Sequence, residues 1–214
     1  MNHVLLIGLL LPFHVATVGP SVALTARDLP IEVKFKGHFL VGKRWKDSEG
    51  ESVVVLSGTS NTAHRNKEGE RSAYLFGSQW RRAKGAWQEI WHMSDKVEQC
   101  GLDLICEFVP DSLELTDVDG NDIAEASFLY RLACKGGIDP DTQKLLLYEG
   151  ARKYALRGTV KLIMSVNERE SVTGGEFKAD SSFELIVVSK RLFERRRTLT
   201  ACYSGSMTAS AQRA

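Results

Sequence analysis

Apolar and polar residues alternate along several stretches of this 214-residue chain, a pattern typical of β-strands with one buried face. Residues 31–37 alternate strictly, and residues 52–57 form a continuous apolar run typical of a central strand. No stretch combines a sustained 3.6-residue apolar stripe with caps at both ends, so we expect few and short helices. The chain is therefore predicted to be mainly β, with an antiparallel meander, sandwich-like or propeller-blade-like sheet.

Further strands are predicted between turn clusters rich in Gly, Asp and Ser. Residues 73–76 and 86–91 form a predicted hairpin that places Trp87 and Trp91 on one face. Tryptophans on one face can stack on sugar rings, but core packing is their commoner use. Residues 58–72 are polar and are predicted to be the one long loop. The other predicted strands cover residues 39–41, 103–108, 112–115, 125–134, 144–149, 153–156 and 161–166, and residues 186–188 are strand-like.

The N-terminus has the pattern of a secretory signal peptide over residues 1–23, which contain no Lys, Arg, Asp or Glu. Ser21 and Ala23 are small residues in the relation that signal peptidase prefers, and Ala26 is a second candidate end. The apolar run over residues 4–18 is too short and too interrupted to span a bilayer. A buried amphipathic N-terminal segment is the alternative. We expect an exported protein, periplasmic or extracellular.

Length and composition predict a single globular domain, since 43% of positions are hydrophobic and 26% are charged. With the strand pattern, this gives one β-rich domain over residues 27–190. We expect a disordered tail over residues 191–214, and its cationic run at residues 195–197 is interpreted as solvated. The formal net charge of +1 gives no general electrostatic basis for binding nucleic acid or an anionic membrane. Nucleic-acid partners and a transmembrane segment are therefore not expected.

An acidic loop over residues 117–125 carries oxygen-bearing side chains at its positions 1, 3, 5 and 9, and a carbonyl at position 7. A hard cation such as calcium takes six to eight oxygen ligands, and Gly120 allows the tight bend that would turn them inward. The loop is not an EF-hand, since Asp122 and Phe128 stand where that loop needs Gly and Glu. A polar hairpin turn without an ion is the alternative. The predicted calcium ligands are Asp117, Asp119, Asn121, the carbonyl of Ile123, and Glu125.

The chain contains four cysteines, Cys100, Cys106, Cys134 and Cys202, and export would make disulfides plausible. Four cysteines allow three pairings, and sequence alone does not choose among them. We favour Cys100–Cys134, because it would close a loop around the acidic segment. Buried free thiols are the alternative.

Catalytic motifs are missing from the sequence: it has no Gly-x-Ser-x-Gly elbow, no phosphate-binding Gly-rich loop, no His-Glu-x-x-His and no Cys-x-x-Cys. A glycosidase needs only two facing carboxylates, and 27 acidic residues do not exclude one by counting. The sequence therefore favours a protein that is not an enzyme, with a glycan-active hydrolase as the alternative.

Two resemblances extend this interpretation. The acidic loop resembles the calcium loop between two strands of FG-GAP (integrin-propeller, VCBS-type) repeats, with Glu125 where Asp is commoner. Residues 39–158 resemble a family of exported bacterial proteins labelled surface polysaccharide biosynthesis proteins, whereas the segment after Ser181 does not look like the usual ending of that family. The likeness is carried by Trp45-Lys-Asp, Gly50-Glu51, Cys100, Asp103, residues 116–125, Tyr130, Cys134, Asp139-Pro140, Lys144, Tyr148-Glu-Gly150, Lys153-Tyr154 and Arg157-Gly158.

The family resemblance implies an envelope or periplasmic protein with no known reaction. Together with the loop, it predicts a non-enzymatic exported protein with a calcium-stabilised β-hairpin loop. Such a protein would be a binding or assembly factor in surface polysaccharide biosynthesis, with polysaccharide or envelope proteins as its partners.

Overall fold

The computed structural model describes residues 19–59, 66, 69–166 and 169–180. These residues form thirteen strands and one short 3-10 turn at Ala26–Asp28, which confirms a mainly β chain. The strands are β1 Val22–Leu24, β2 His38–Asp47, β3 Gly50–Gly58, β4 Arg71–Ala83, β5 Ala86–Cys100, β6 Asp103–Phe108, β7 Glu114–Thr116, β8 Glu125–Lys135, β9 Thr142–Glu149, β10 Arg152–Thr159, β11 Leu162–Val166, β12 Arg169–Thr173 and β13 Phe177–Ala179.

The strands form two main antiparallel sheets. The first sheet is a five-stranded meander in the order β1-β2-β3-β4-β5, so the apolar run of β3 is central, as predicted. The second sheet has the order β13-β10-β9-β8-β6, with β7 pairing on β8. Strands β11 and β12 pair only with each other among the described strands. The predicted antiparallel meander is confirmed, in its sandwich-like form.

The main core lies between the inner faces of the two sheets. Trp45, Leu56 and Leu75 contribute from the first sheet, and Phe128 and Leu146 contribute from the second. All five side chains are buried, and removing this much apolar surface from water supplies most of the driving force for folding. The sheets are therefore held face to face by one continuous apolar layer.

The predicted strand at residues 31–37 is not formed. A turn in which the amide of Val33 donates to the carbonyl of Pro30 takes up its first residues, and the segment crosses the outer face of the first sheet as a strap. Val33 packs there on Val53 and Val55, whereas Ile31 is 83% exposed. The alternation thus reflects one buried anchor in an irregular segment, because the turn at Pro30 takes the place of a strand start.

The predicted shared face of Trp87 and Trp91 is wrong. Strand pairing shifts between Gln79 and Trp80, which lie opposite Trp91 and Glu89, so β5 contains an extra residue at this point. Such a β-bulge reverses the side-chain alternation beyond it. Trp91 therefore packs in the main core, and Trp87 packs on the outer face of the first sheet.

Cys100 and Cys134 form a disulfide, as predicted, and it joins the end of β5 to β8 across 34 residues of sequence. Cys106 is a buried free thiol, and burial raises its pKa to about 11. The predicted tail at residues 191–214, the strand-like residues 186–188, most of the long loop at residues 58–72, and Cys202 lie outside the described residues.

The end of the predicted signal peptide forms part of the first sheet. Gly19–Ala23, the end of the predicted signal peptide, lies in the described part, where Val22 and Ala23 pair with Arg44 and Lys43 as part of β1. Within the described ranges, no helix has the length and apolar character needed to cross a membrane.

Candidate metal centre

The acidic loop joins β7 to β8, so it is the connection of a β-hairpin, as predicted. Thr116 and Glu125 are the last paired residues at its base. Gly120 and Asp122 have positive φ values of 74° and 62°. Both residue types tolerate the left-handed region better than most, and two such residues let a short connection fold back on itself.

Three carboxylates meet in this loop. One ligand oxygen from each of Asp117, Asp119 and Glu125 lies within 4.8 Å of the others. Asp117 and Glu125 are only 4% and 2% exposed, while Asp119 is at the surface. Three like charges at this spacing repel one another strongly where two of them are shielded from water. The structure therefore brings together three of the five predicted ligands.

Hydrogen bonds fix the two buried carboxylates in place. The Asp117 carboxylate accepts bonds from the amides of Asn121 at 3.0 Å and Asp122 at 3.1 Å. The Glu125 carboxylate accepts a 2.7 Å bond from the Thr116 hydroxyl and bonds from the Val118 amide at 3.0 and 3.1 Å. These donors fix the positions of both carboxylates within the loop.

The electrostatics of Glu125 follow from this packing. Burial raises the pKa of its carboxyl, and the nearby Asp119 and Asp117 add to that rise, against the lowering effect of the hydrogen bonds from Thr116 and Val118. The net effect is a carboxyl that keeps its proton to higher pH than an exposed glutamate does. A bound cation would reverse this preference, because it favours the ionised form.

The other two predicted ligands lie beside the group but are engaged differently. The side-chain oxygen of Asn121 accepts a 2.8 Å bond from the Ile123 amide. The side-chain nitrogen of Asn121 donates to Asp119 at 3.1 Å and to Glu149 at 2.6 Å. Ile123 donates this bond through its backbone amide, whereas the atom predicted to bind the ion is its carbonyl oxygen. The roles of Asn121 and Ile123 as ligands stay predictions.

The donor set of this group fits a hard metal ion. All of its donors are oxygens, which are the ligands that calcium and magnesium take. Within the described ranges, the ion pairs involve none of the three carboxylates, so no Lys or Arg neutralises them. The group can hold a metal ion.

The loop also docks on the first sheet, through residues that the sequence analysis did not connect to it. The amide and hydroxyl of Ser48 donate to the carbonyl of Asp122 at 3.0 and 2.7 Å. The amide of Ala124 donates to the carboxylate of Asp47 at 3.2 Å, and the Trp45 indole donates to the same oxygen at 2.9 Å. The turn after β2 is thereby tied to a loop more than 70 residues away.

A cavity of about 350 Å³ lies at this junction. Lys46, Asp47 and Ser48 line it from the first sheet, Gly19 lines it from the segment before β1, and Asp117, Asp122 and Ala124 line it from the acidic loop. Asp117 thus belongs both to the carboxylate group and to the cavity wall.

No protein-family model, curated protein or solved structure matches this chain. The resemblances to a surface polysaccharide biosynthesis family and to the FG-GAP calcium loop therefore stay predictions.

Proposed function

We propose that this protein is an exported, non-enzymatic envelope protein that acts as a binding or assembly factor in surface polysaccharide biosynthesis, and that calcium bound by the acidic loop stabilises its fold. The observation that carries the calcium part is the meeting of Asp117, Asp119 and Glu125 within 4.8 Å, with two of the three carboxylates buried. The envelope and polysaccharide part rests on the signal-peptide pattern and on the family resemblance.

Charge supports a bound cation. An ionised carboxylate is costly to bury unless a partner of opposite charge compensates it, and Asp117 and Glu125 are buried beside a third carboxylate. No described lysine or arginine forms that compensating pair. A divalent ion would neutralise the group and accept all three oxygens as ligands. Calcium is the proposed ion, since the predicted set adds an amide and a carbonyl oxygen to the carboxylates.

The hydrogen bonds of the loop support a structural rather than a catalytic role. A raised pKa is also a property of catalytic acids, but Glu125 is 2% exposed, so a substrate has no direct access to its carboxyl. The same loop supplies the Asp122 carbonyl and the Ala124 amide that hold Ser48 and Asp47 of the first sheet. An ion that fixes the loop would also fix this junction between the sheets.

The test is thermal unfolding in calcium and in chelator. Extracellular calcium is plentiful, so a site with a dissociation constant of about 10⁻⁴–10⁻³ M would be filled. At a tenfold excess over that constant, the ion adds about 1.4 kcal/mol to the free energy of unfolding. We expect chelation to lower the melting temperature by several degrees, and native mass spectrometry to find a bound calcium.

Substitutions separate the loop from general effects of charge. Asp119→Ala should remove most of the calcium dependence, while Glu125→Asp should keep binding. Asp103→Ala is the matched control, because Asp103 is an exposed aspartate at the start of β6, outside the acidic group. Equal melting temperatures of the wild type in calcium and in chelator, with the protein shown to be metal-free, would refute the calcium site.

A further inference from the structure

Strand β5 forms a long edge of the first sheet, and the middle of this edge is regular. Strand β5 comes last in the order of the sheet, and among the described strands it pairs only with β4. Residues 91–97 pair with consecutive residues of β4, and both register shifts of this ladder lie outside that range. An edge strand presents backbone groups to which another strand can pair, and bulges weaken that capacity. We call residues 91–97 the β5 edge.

Three basic residues lie directly opposite one another on the second sheet. Arg157 of β10 pairs with Lys144 of β9 on one side and with Lys178 of β13 on the other. Lys144 also lies opposite Tyr130, whose side chain belongs to the main core, so the three residues share the inner face of the sheet. Like charges placed directly opposite one another destabilise a sheet. We call Lys144, Arg157 and Lys178 the basic row.

The first sheet compensates only one end of the basic row. The Asp95 carboxylate, in the β5 edge, accepts a 2.6 Å bond from the Lys144 ammonium. Arg157 is half exposed and lies 3.8 Å from the Asp180 carboxylate, which is beyond the length of a hydrogen bond. Lys178 is exposed, and none of the ion pairs between described residues involves it. Arg157 and Lys178 therefore have less compensation than Lys144 has.

The electrostatics of Lys153 agree with an excess of positive charge here. Lys153 lies four residues before Arg157 on β10 and therefore on the same face. Burial lowers the pKa of its ammonium, and the charges of Arg157 and Lys144 lower it further, against the opposite effects of Asp95 and Asp180. An anion bound beside Arg157 would oppose this shift.

We propose that the β5 edge binds an extended, acidic segment of a partner protein, which adds to the first sheet as a further strand and places carboxylates over Arg157 and Lys178. The added strand would lie about 4.8 Å beyond β5. This proposal goes beyond the proposed function, because it names a class of partner and a surface that contains no residue of the acidic loop.

The packing of the two sheets places the added strand over the basic row. Strand β4 packs on β6, and β5 packs on β6 and β8 and reaches β9 through the bond from Lys144 to Asp95. A strand beyond β5 would continue this progression toward β10. Since Asp95 meets Lys144, a carboxylate at the same level of the added strand would meet Arg157, the next member of the row.

The charge of Asp95 does not block the edge. Charged side chains that point inward are one means by which edge strands avoid pairing. The Asp95 carboxylate already accepts bonds from the Tyr130 hydroxyl at 2.9 Å and from Lys144, so its charge is compensated within the sandwich. Successive side chains of a strand point to opposite faces, so the partner segment needs acidic residues at alternate positions.

The test is binding of the full chain to a synthetic peptide of about eight residues in which glutamate and threonine alternate, measured by fluorescence anisotropy. One matched peptide has lysine in place of glutamate. A second has the same side chains as the first but is methylated at its backbone nitrogens, so it has no N–H groups to donate. We expect only the unmodified acidic peptide to bind, and the NMR signals of the amides of residues 91–97 to shift.

Substitutions in the basic row should weaken this binding. The double variant Arg157→Gln with Lys178→Gln should bind the acidic peptide about tenfold more weakly, as the loss of two exposed ion pairs allows. Arg152→Gln is the matched control, because Arg152 is an exposed arginine of the same strand on the opposite face, in alternation with the outer-face residue Tyr154. It should bind the peptide like the wild type.

Several results would overturn the proposal. Equal binding of the methylated peptide would exclude strand pairing, and binding unaffected by the double variant would exclude the basic row. Alginate that binds the wild type when the acidic peptide does not would assign the row to an acidic polysaccharide. Self-association of the chain that the peptide does not displace would assign the edge to a second copy.

The proposal is separable from the calcium site. Peptide binding should be equal in calcium and in chelator, and the double variant should keep the calcium-induced rise in melting temperature. A wild type that shows the calcium shift but binds no acidic peptide would overturn this proposal alone. Peptide binding without a calcium shift would refute the calcium site and leave the β5 edge standing.

Discussion

Glu125 lies directly opposite Glu149 across the ladder between β8 and β9, so two carboxylates share one face at the end of the second sheet. Like charges placed directly opposite each other destabilise a strand pair. The Asn121 side chain donates to Glu149 at 2.6 Å, and Asp117 and Asp119 crowd Glu125 from the loop side. The hairpin thus concentrates negative charge where a cation would offset it.

Glu149→Gln should relieve part of this repulsion while keeping an acceptor for Asn121. We expect the free energy of unfolding in chelator to rise by about 0.2–1 kcal/mol, and the stabilisation by calcium to shrink. Urea unfolding with and without calcium measures both effects. Glu32→Gln, in the exposed strap, serves as the control. A variant that loses equal stability in both conditions would show that Glu149 makes a favourable contact instead.

The raised pKa of Glu125 predicts a pH dependence of defined sign. In the metal-free folded state its carboxyl keeps a proton that the unfolded chain has already lost, so stability falls as pH rises above the ordinary glutamate pKa of about 4.3. The fall ends once the raised folded pKa has been passed. Glu125→Gln should flatten this part of the profile, because it removes the titrating group.

Calcium should abolish that fall. The ion binds the ionised carboxylate and lowers its folded pKa, so stability in excess calcium should stay level above the ordinary glutamate pKa of about 4.3 and decrease only in acid, as pH drops through the lowered folded value. Denaturant midpoints of the wild type and Glu125→Gln, measured from about pH 4 to about pH 7 in calcium and in chelator, give the four curves needed. Parallel curves for both proteins in chelator would contradict the assigned titration.

The local parts of the acidic site could be predicted from the sequence, and its long-range parts could not. The spacing from Asp117 to Glu125 and the flanking strands depend on a few consecutive residues, and the structure brings three of the predicted side chains together. Docking of Ser48 and Asp47 on the loop depends on how two sheets pack, which no local pattern encodes. Glu149 was missed because its place opposite Glu125 depends on the register of β8 and β9.

Two errors in the strand assignments have specific physical causes. Residues 31–37 alternate like a strand, but the turn from Pro30 to Val33 takes up the first of them and only Val33 is deeply buried. The alternation in β5 was extended through a bulge, which moved Trp87 and Trp91 to opposite faces. A single inserted residue changes every side-chain direction beyond it, and no residue type marks its position.

We expect reduction of the disulfide between Cys100 and Cys134 to lower the free energy of unfolding strongly. Closing a loop of 34 residues removes unfolded-state entropy worth about 4 kcal/mol in the chain-entropy model. The double variant Cys100→Ala with Cys134→Ala should lose stability of about that size, whereas reductant should not destabilise it further. Peptide mapping without reductant should recover Cys100 linked to Cys134. A link between Cys100 and Cys106 would contradict the structure.

Asp95 makes a second polar contact between the two sheets. Its carboxylate accepts bonds from the Tyr130 hydroxyl at 2.9 Å and from the Lys144 ammonium at 2.6 Å, both on the second sheet. Burial alone would raise the pKa of Asp95, but the bonds from Lys144, from the Lys96 amide and from Tyr130 outweigh it and lower the pKa. The ionised Asp95 carboxylate therefore contributes to the free energy of unfolding above the ordinary aspartate pKa of about 3.9. This contribution is lost as pH falls through the lowered pKa of the folded state.

Asp95→Asn should lower the free energy of unfolding by about 1–3 kcal/mol at neutral pH, because a charged acceptor between two sheets becomes a neutral one. The difference from the wild type should shrink in acid, where the wild-type carboxyl is protonated. Asp103→Asn, at an exposed position on β6, is the matched control. If Asp95→Asn loses the same stability at neutral pH as it does well below the folded-state pKa of Asp95, the ion pair with Lys144 contributes little.

The last prediction concerns processing of the N-terminus. Cleavage after Ala23 would remove Val22 and Ala23, two of the three residues by which β1 pairs with β2, and cleavage after Ala26 would remove all of β1. Val22 and Ala23 are exposed, so their loss uncovers little apolar surface and the sandwich should still fold.

We expect mass spectrometry of the mature protein to find a new N-terminus at Leu24 or Arg27, and a chain that begins at either residue should keep the calcium-dependent melting transition. Recovery of intact Met1 from a soluble cytosolic pool would refute export, and loss of cooperative melting in both shortened chains would show that β1 is a required part of the first sheet.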